Sequence, residues 1–445
     1  MTRKGSFTSS GLVPITVSNT VNANEEVAHC EGASGEIKQW WERNELGYRD
    51  GELFFGKQHL ASLAQAAGTP LYVYNAPRIR DNLNRLRSAL ASNGLRFKIF
   101  YALKANRYLP IVTYLRLLGR CGIDVCSPAE MLLARQVGFP EEEITYTGTS
   151  VSDADLEWLA RHPRVQVNCD SFSAIRRLGE RCPGRPIGIR INPQLGAGYH
   201  QGLHYAGDKA TKFGIYQERF QEALAVARRY DLPVKTLHFH CGSGYLTPQL
   251  ETFAAILQRS LWFLDQCPEM EALDVGGGLG VPLVESDEPL DLARWGEIIA
   301  RQVGDRDLEI HVEPGDYLVK DAGVLLVQVN TVEKKGDVTF VGVNAGFNIQ
   351  NLAVYYRIPF AVVPLKVDDG AVEEQITLAG NINEAIDLFA ENIWLPPVQE
   401  GDFLALLNVG GYGSSSSSNH CMRGQFAEYV LFEEGPQIAQ ITQIS

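Results

Sequence analysis

Between residues 97 and 315 the chain alternates short apolar or β-branched runs with stretches whose apolar residues recur at helical spacing. The runs read FKIFYAL, GIDVCS, ITYTG, VQVNCD, IGIRINP, TLHFHCG, ALDVGGG and EIHVEPG, which makes eight predicted strands. Between them, YLPIVTYLRLLGR, PAEMLLARQVG, DADLEWLARH, RFQEALAVARRY and LARWGEIIARQVG predict amphipathic helices. Eight strand–helix units over this length predict a parallel (β/α)8 TIM-like barrel, a fold of about 250 residues. An open doubly wound sheet is the alternative, and the count of eight favours the barrel.

After Gly315 the pattern changes. GVLLVQVNTVEKKGDVTFVGVNAG, FAVVPLKV, EEQITLAGNI, GDFLALLNVGGYG and EYVLFEEG are strand-rich, with turn signals at KKGD and DDG. Residues 316–445 are therefore expected to form a mainly antiparallel β domain, and residues 76–315 the barrel. Upstream, DGELFF reads as a turn into a strand, KQHLASLAQAAG as a helix and PLYVYN as a strand. Residues 37–75 are expected to contribute to the β domain, with the strand near GELFFG joining its sheet. Residues 1–36, rich in Ser, Thr, Asn and Gly and without periodicity, are expected to be a flexible or disordered tail.

Charge narrows the function. A net charge of −13 in 445 residues argues against nucleic acid or an anionic membrane as partner. No apolar run reaches the roughly 18 residues that cross a bilayer. The start, MTRKGSFTSSGLVPITVSN, holds only the short apolar piece GLVPITV, too weak for a secretory signal, so the expected location is the cytoplasm. Cysteines 30, 121, 126, 169, 182, 241, 267 and 421 are scattered without zinc-site spacing and are expected to be free thiols.

In such a barrel the C-terminal strand ends build the active site. They carry Lys104, Asp124 with Ser127, Gly148, Asp170, Arg190 with Asn192, His240 with Ser243, Gly276–Gly278 and Glu313. Singly these residues are ordinary: a lone lysine usually pairs with an acid, and GGG after a strand is often a turn. Together they suit pyridoxal 5′-phosphate, which needs a lysine for a Schiff base and an acid facing its pyridine nitrogen. Its phosphate suits a glycine turn with a hydroxyl beside it. A metal-dependent barrel hydrolase, with His238, His240 and His311 as ligands, is a different-class alternative. It leaves Lys104, the glycine turn and EPG unexplained.

FYALKAN, DVCSPAE, RINP, TKFG, HFHCGSG, DVGGGLG and VEPG occur in the order and spacing of the fold-type III pyridoxal phosphate decarboxylases. From about residue 40 to 435 the chain resembles a divergent member of the diaminopimelate/ornithine decarboxylase family. The resemblance implies an alanine racemase-like barrel with a C-terminal β domain, and a homodimer with shared active sites. It implies Lys104 as the Schiff-base lysine, His240 stacked on the ring and Glu313 at the pyridine nitrogen. Ser243, Gly276, Gly277 and Gly278 would bind the phosphate, with Asp124 and Arg190 in support.

Four departures bear on the substrate. Asp316 stands where the family's EPGR has a phosphate-binding arginine, so its carboxylate is expected to point away or pair with a cation. Asn383, in NEAID, stands at the catalytic cysteine position, while Glu384 and Asp387 keep the acidic positions. An amide cannot donate the proton that cysteine supplies, so Lys104, His420, a tyrosine or water would have to serve. Leu352 replaces the arginine that reads a distal carboxylate, and Tyr356–Arg357 replaces a Tyr–Asp pair. Arg357 would favour an anionic or polar substrate end; an ordinary surface role is the alternative. The substrate is thus expected to be a small-molecule non-standard amino acid, free or tethered to a carrier. Racemisation or inverting decarboxylation is the runner-up outcome.

The serine-rich GGYGSSSSSNHC has linker composition but lies between two predicted strands. It resembles a family segment whose tyrosine reaches the cofactor phosphate, a role that passes to Tyr412. Ser414 replaces a bulky aromatic and His420 a tyrosine, which makes this an active-site wall with altered residues.

Overall fold

The eight predicted strands are all present and close on themselves. In the computed structural model residues 39–433 are described, apart from 208, 268 and 369. The expectation for residues 1–36 lies outside the described residues. The barrel strands are β1 (Phe97–Ala102), β2 (Gly122–Val125), β3 (Ile144–Tyr146) and β4 (Gln166–Cys169), followed by β5 (Ile187–Asn192), β6 (Val234–His238), β7 (Ala272–Asp274) and β8 (Glu309–Val312). Every neighbouring pair is parallel, and β8 returns to β1 through Ile310 opposite Phe97 and Val312 opposite Ile99. Closure leaves no free edge among these eight. A short extra strand, Ile215–Tyr216, pairs in parallel with the end of β5.

Helices such as Leu109–Leu118, Pro128–Val137 and Leu292–Val303 connect the strands, and the sequence sets their ends. Ser127, for example, accepts from the Glu130 N–H before Pro128 begins a helix, and left-handed Gly138 ends it.

Beyond the barrel, the 13-residue strand Gly323–Lys335 organises a second sheet. It pairs antiparallel with Val338–Val343, Phe403–Leu406 and Leu71–Asn75. Here one expectation needs correcting. The N-terminal strand inside this sheet is Leu71–Asn75, between Gly323–Lys335 and Ala427–Leu431, and not the GELFF strand. Glu52–Phe55 belongs to a separate three-stranded sheet and joins the β domain by an antiparallel bridge between Glu52 and Lys366, with Leu53 N–H to the Leu365 carbonyl at 2.9 Å and Val367 N–H to the Gly51 carbonyl at 2.8 Å.

Strand alternation explains the difference. Leu71 and Val73 point into one core with Leu53, Phe55, Val324 and Leu326, while Tyr72 and Tyr74 point into the main core. LYVYN is apolar on both faces and fits between two layers. The seven cysteines among the described residues are all free, as expected.

Candidate active site

The barrel brings the predicted residues together at its C-terminal mouth. Lys104 lies on a short turn, Leu103–Ala105, immediately after β1. Its ammonium meets Asp124 of β2 at 2.9 Å, with the lysine side chain 36% exposed and Asp124 buried. Burial alone would lower Lys104, but Asp124, followed by Tyr412 and Glu313, outweighs it and raises the ammonium well above its ordinary value. Burial and the Glu313 charge push Asp124 up to about 7, and Lys104 opposes them.

Glu313, just past β8, lies on the barrel axis side with His238 and Asp274. Donor atoms of these three buried residues lie within 4.8 Å of one another. His238 Nε2 faces Glu313 Oε2 at 3.0 Å. Burial alone would raise Glu313; the His238 contact, then Lys104 and His240, outweigh it and hold the carboxyl low, at about 2. Burial, then the Glu313 charge, drives Asp274 well above its ordinary value. The two adjacent carboxyls are thus pushed in opposite directions, Glu313 down and Asp274 up. Glu313 Oε1 is buried with no hydrogen-bond partner.

His240 follows β6, half-buried, with Tyr205 edge-on at 5.1 Å between ring centroids. Burial, then the Arg190 and Lys104 charges, hold its imidazole well below the ordinary value. Ser243 donates to the Tyr205 hydroxyl at 3.2 Å. Arg190, from β5, packs over the Phe213 ring at 4.4 Å. The Gly276–Gly278 turn leaves no room for side chains. A Cβ at Gly277 would lie 2.2 Å from the Glu313 carbonyl oxygen, and one at Gly278 2.2 Å from that of Gly242.

The serine-rich stretch is fastened to this mouth. Tyr412 N–H donates to the Ala105 carbonyl at 2.7 Å, and the Tyr412 hydroxyl lies beside Gly315. Ser415 donates to the carbonyls of Lys104 and Ala105 at 2.9 and 3.0 Å, and Asn106 reaches the Gly410 carbonyl at 2.9 Å. Ser414 meets the Tyr74 hydroxyl at 3.0 Å. These contacts make it a wall of the site and not a linker.

Asp316 pairs with Lys320 at 3.0 Å, the cation contact expected for it. The remaining predicted residues form an exposed group on the β domain. Asn383, Glu384, Tyr356, Arg357 and His420 are exposed, and His420 Nε2 contacts Glu384. Asp387, in the same loop as Glu384, is buried and braces that loop by accepting from Phe347 N–H at 2.7 Å and Ile382 N–H at 2.6 Å. Leu352 is buried in the main core.

The three-histidine alternative meets a different geometry. His311 is engaged with Glu309 at 2.9 Å, and the residues converging on His238 are Asp274 and Glu313, not His240 and His311. Sequence reasoning missed Tyr205, Asp274 and Lys320. Tyr205 lies in an aperiodic stretch that gives no signal, whereas the spacing of Asp316 and Lys320 was a readable i,i+4 pair.

A closed parallel barrel with a lysine, a buried anionic carboxylate and a glycine turn at its mouth defines the pyridoxal phosphate class of barrel enzyme. The comparisons agree. The family model described as "Pyridoxal-dependent decarboxylase, pyridoxal binding domain" matches residues 77–320. A diaminopimelate decarboxylase of Methanothermobacter thermautotrophicus is 38% identical over 402 residues, 86% of this chain and 91% of that protein. That of Aquifex aeolicus is 31% identical over 88% of this chain and 93% of its own. The diaminopimelate decarboxylase structure from M. jannaschii superposes with a TM-score of 0.81 at 28% identity, covering 88% of this chain and 94% of that one. One from Helicobacter pylori, complexed with L-lysine, gives 0.77 at 28% identity, covering 84% and 95%. The chain belongs to the pyridoxal-dependent decarboxylases, and is an amino-acid decarboxylase with an alanine racemase-like barrel. Among the described residues no helix is long and apolar enough to cross a membrane.

Proposed function

We propose that this chain holds pyridoxal 5′-phosphate at the barrel mouth and releases CO2 from a small-molecule amino acid of the diaminopimelate type. When bound, that cofactor supplies an electron sink for the pair left behind as CO2 departs. Lys104 would be its point of attachment, and His240 would stack on its ring. Ser243, the Gly276–Gly278 turn and Tyr412 would surround the phosphate. Asp124 and Arg190 would set the charge around Lys104 and Glu313.

Glu313 carries the reading. One of its oxygens takes His238 and the other is buried without a partner, in a carboxyl held anionic. A buried anionic oxygen costs free energy unless a donor reaches it, and a protonated ring nitrogen is such a donor.

The distal end of the substrate would be read by Tyr356, Arg357 and Glu384, because buried Leu352 offers no charge. His420, in contact with Glu384, would return the proton at the α-carbon, where the Asn383 amide cannot. A homodimer would complete the site. Support comes from the exposed apolar side chains on the same domain, Tyr355, Tyr356, Ile386 and Met422.

The test is CO2 release in D2O from a panel including meso-diaminopimelate, lysine, ornithine and acylated diamino acids. We expect CO2 from at least one of them, with one deuterium retained at the former α-carbon. Deuterium exchange at the α-carbon without CO2 would overturn the decarboxylase reading in favour of a racemase.

A further inference from the structure

At the phosphate end of the mouth a buried ammonium has no assigned role. Lys320 is 2% exposed, and its Nζ contacts Asp316 at 3.0 Å. That ion contact is not a well-aligned hydrogen bond, and Nζ has no other protein partner. Asp316 Oδ1 is likewise buried without a hydrogen-bond partner. A buried charge pair with unsatisfied donors is costly, and removing one partner typically costs several kcal/mol. Such an arrangement suits a site where a further charged group arrives.

The surroundings say which group. Lys320 and Asp316 line a cleft together with Ser243, Gly244 and Gly280. Gly244 N–H donates to the Gly278 carbonyl at 2.8 Å, so the cleft continues directly from the glycine turn. The Tyr412 segment closes the other side: Gly410 N–H donates to the Lys320 carbonyl at 2.9 Å, and a Cβ at Gly411 would sit 2.3 Å from Asp316 Oδ1. A phosphate dianion beside Ser243 and this turn would face the Asp316 carboxylate without compensation unless a cation intervened. Other cations near the mouth have partners elsewhere: Lys104 meets Asp124, Arg190 and Lys212 lie over the Phe213 ring, and Arg107 donates to the Ser415 carbonyl. The His240 imidazole is held well below its ordinary value.

We propose that Lys320, held by Asp316, supplies the positive charge for the phosphate of the bound cofactor. The assignment rests on the pyridoxal phosphate reading above and adds one residue to it. The charge enters from one helical turn further along than position 316, and the carboxylate at 316 serves as its clamp. Charge-assisted contacts to phosphate are among the stronger hydrogen bonds, so losing this one should be visible in binding.

The experiment compares two aldehydes on apoprotein prepared from the purified holoenzyme: pyridoxal 5′-phosphate and pyridoxal, each titrated by absorbance. Wild-type protein is expected to favour the phosphorylated form strongly. Lys320→Met is expected to lose about tenfold or more of its affinity for pyridoxal 5′-phosphate while its affinity for pyridoxal stays within about twofold. Lys320→Arg is expected to keep most of the selectivity. Should Lys320→Met fail to fold because Asp316 is left unpaired, the double variant Asp316→Ala/Lys320→Met removes both charges and allows the same comparison. Selectivity for phosphate that survives loss of Lys320 overturns the assignment, as does an equal loss of both aldehydes. Wild-type protein that binds neither aldehyde overturns the cofactor reading itself.

Discussion

The Ser415 hydroxyl donates to the carbonyl of Lys104 across 2.9 Å, joining a serine run of the β domain to the turn that carries the key lysine of the barrel. The same hydroxyl lies 3.0 Å from the Ala105 carbonyl. A stretch with linker composition therefore sets the backbone from which Lys104 projects. Ser415→Ala removes these contacts without adding bulk. We expect about 1 kcal/mol of lost stability and a few-fold weaker cofactor retention, measured by urea unfolding and by cofactor titration.

Glu313→Gln keeps the shape of the side chain and the approach of His238 but removes the charge held at about 2. Turnover should fall by about a hundredfold or more, while cofactor binding survives, because the lost charge acts on the ring nitrogen and not on the phosphate. Steady-state kinetics alongside cofactor content separate the two effects.

Replacing Leu352 with the arginine that the family resemblance implies at this position should not restore recognition of a distal carboxylate. Leu352 is 3% exposed and packed in the main core. Leu352→Arg would bury an unpaired charge and cost about 3 kcal/mol or more, seen as a lowered midpoint in thermal or urea unfolding.

The barrel also carries an acid-sensitive contact away from the mouth. Glu309 bonds His311 at 2.9 Å and Lys98 at 2.9 Å. The His311 hydrogen bond, then Lys98, outweigh burial and hold the Glu309 carboxyl at about 2, below its ordinary 4.5. A carboxyl lowered on folding contributes stability that is fully present above the unfolded value and lost as pH falls through the folded one. Glu309 is half-buried and its partner Lys98 is exposed, so screening holds the contribution to about 1 kcal/mol. Glu309→Gln should therefore show less loss of stability between pH 4.5 and 2 than wild type, measured by urea unfolding across that range.

Much of this was legible in the sequence, for physical reasons that differ by element. The eight barrel strands showed because each is short, apolar and followed by a helix in local sequence, and the strand-end rule then placed Lys104, His240 and Glu313. The position of Leu71–Asn75 in the sheet was not legible, because its partners, Gly323–Lys335 and Ala427–Leu431, lie hundreds of residues away. Asp316 was read as needing a cation, yet Lys320 went unnamed although it stands one turn downstream. The motif match at Asp387 likewise gave no sign that its oxygens accept from two backbone N–H groups, because those donors are set by the folded loop.

The central claim is that Lys104 carries pyridoxal 5′-phosphate. Borohydride reduction of the purified protein, followed by peptide mass spectrometry, tests it most directly. The account predicts a yellow protein whose absorbance is altered by reduction, with the cofactor fixed to the peptide containing Lys104 and absent in Lys104→Ala. A colourless, metal-containing protein, or a cofactor fixed to a different lysine, would contradict it.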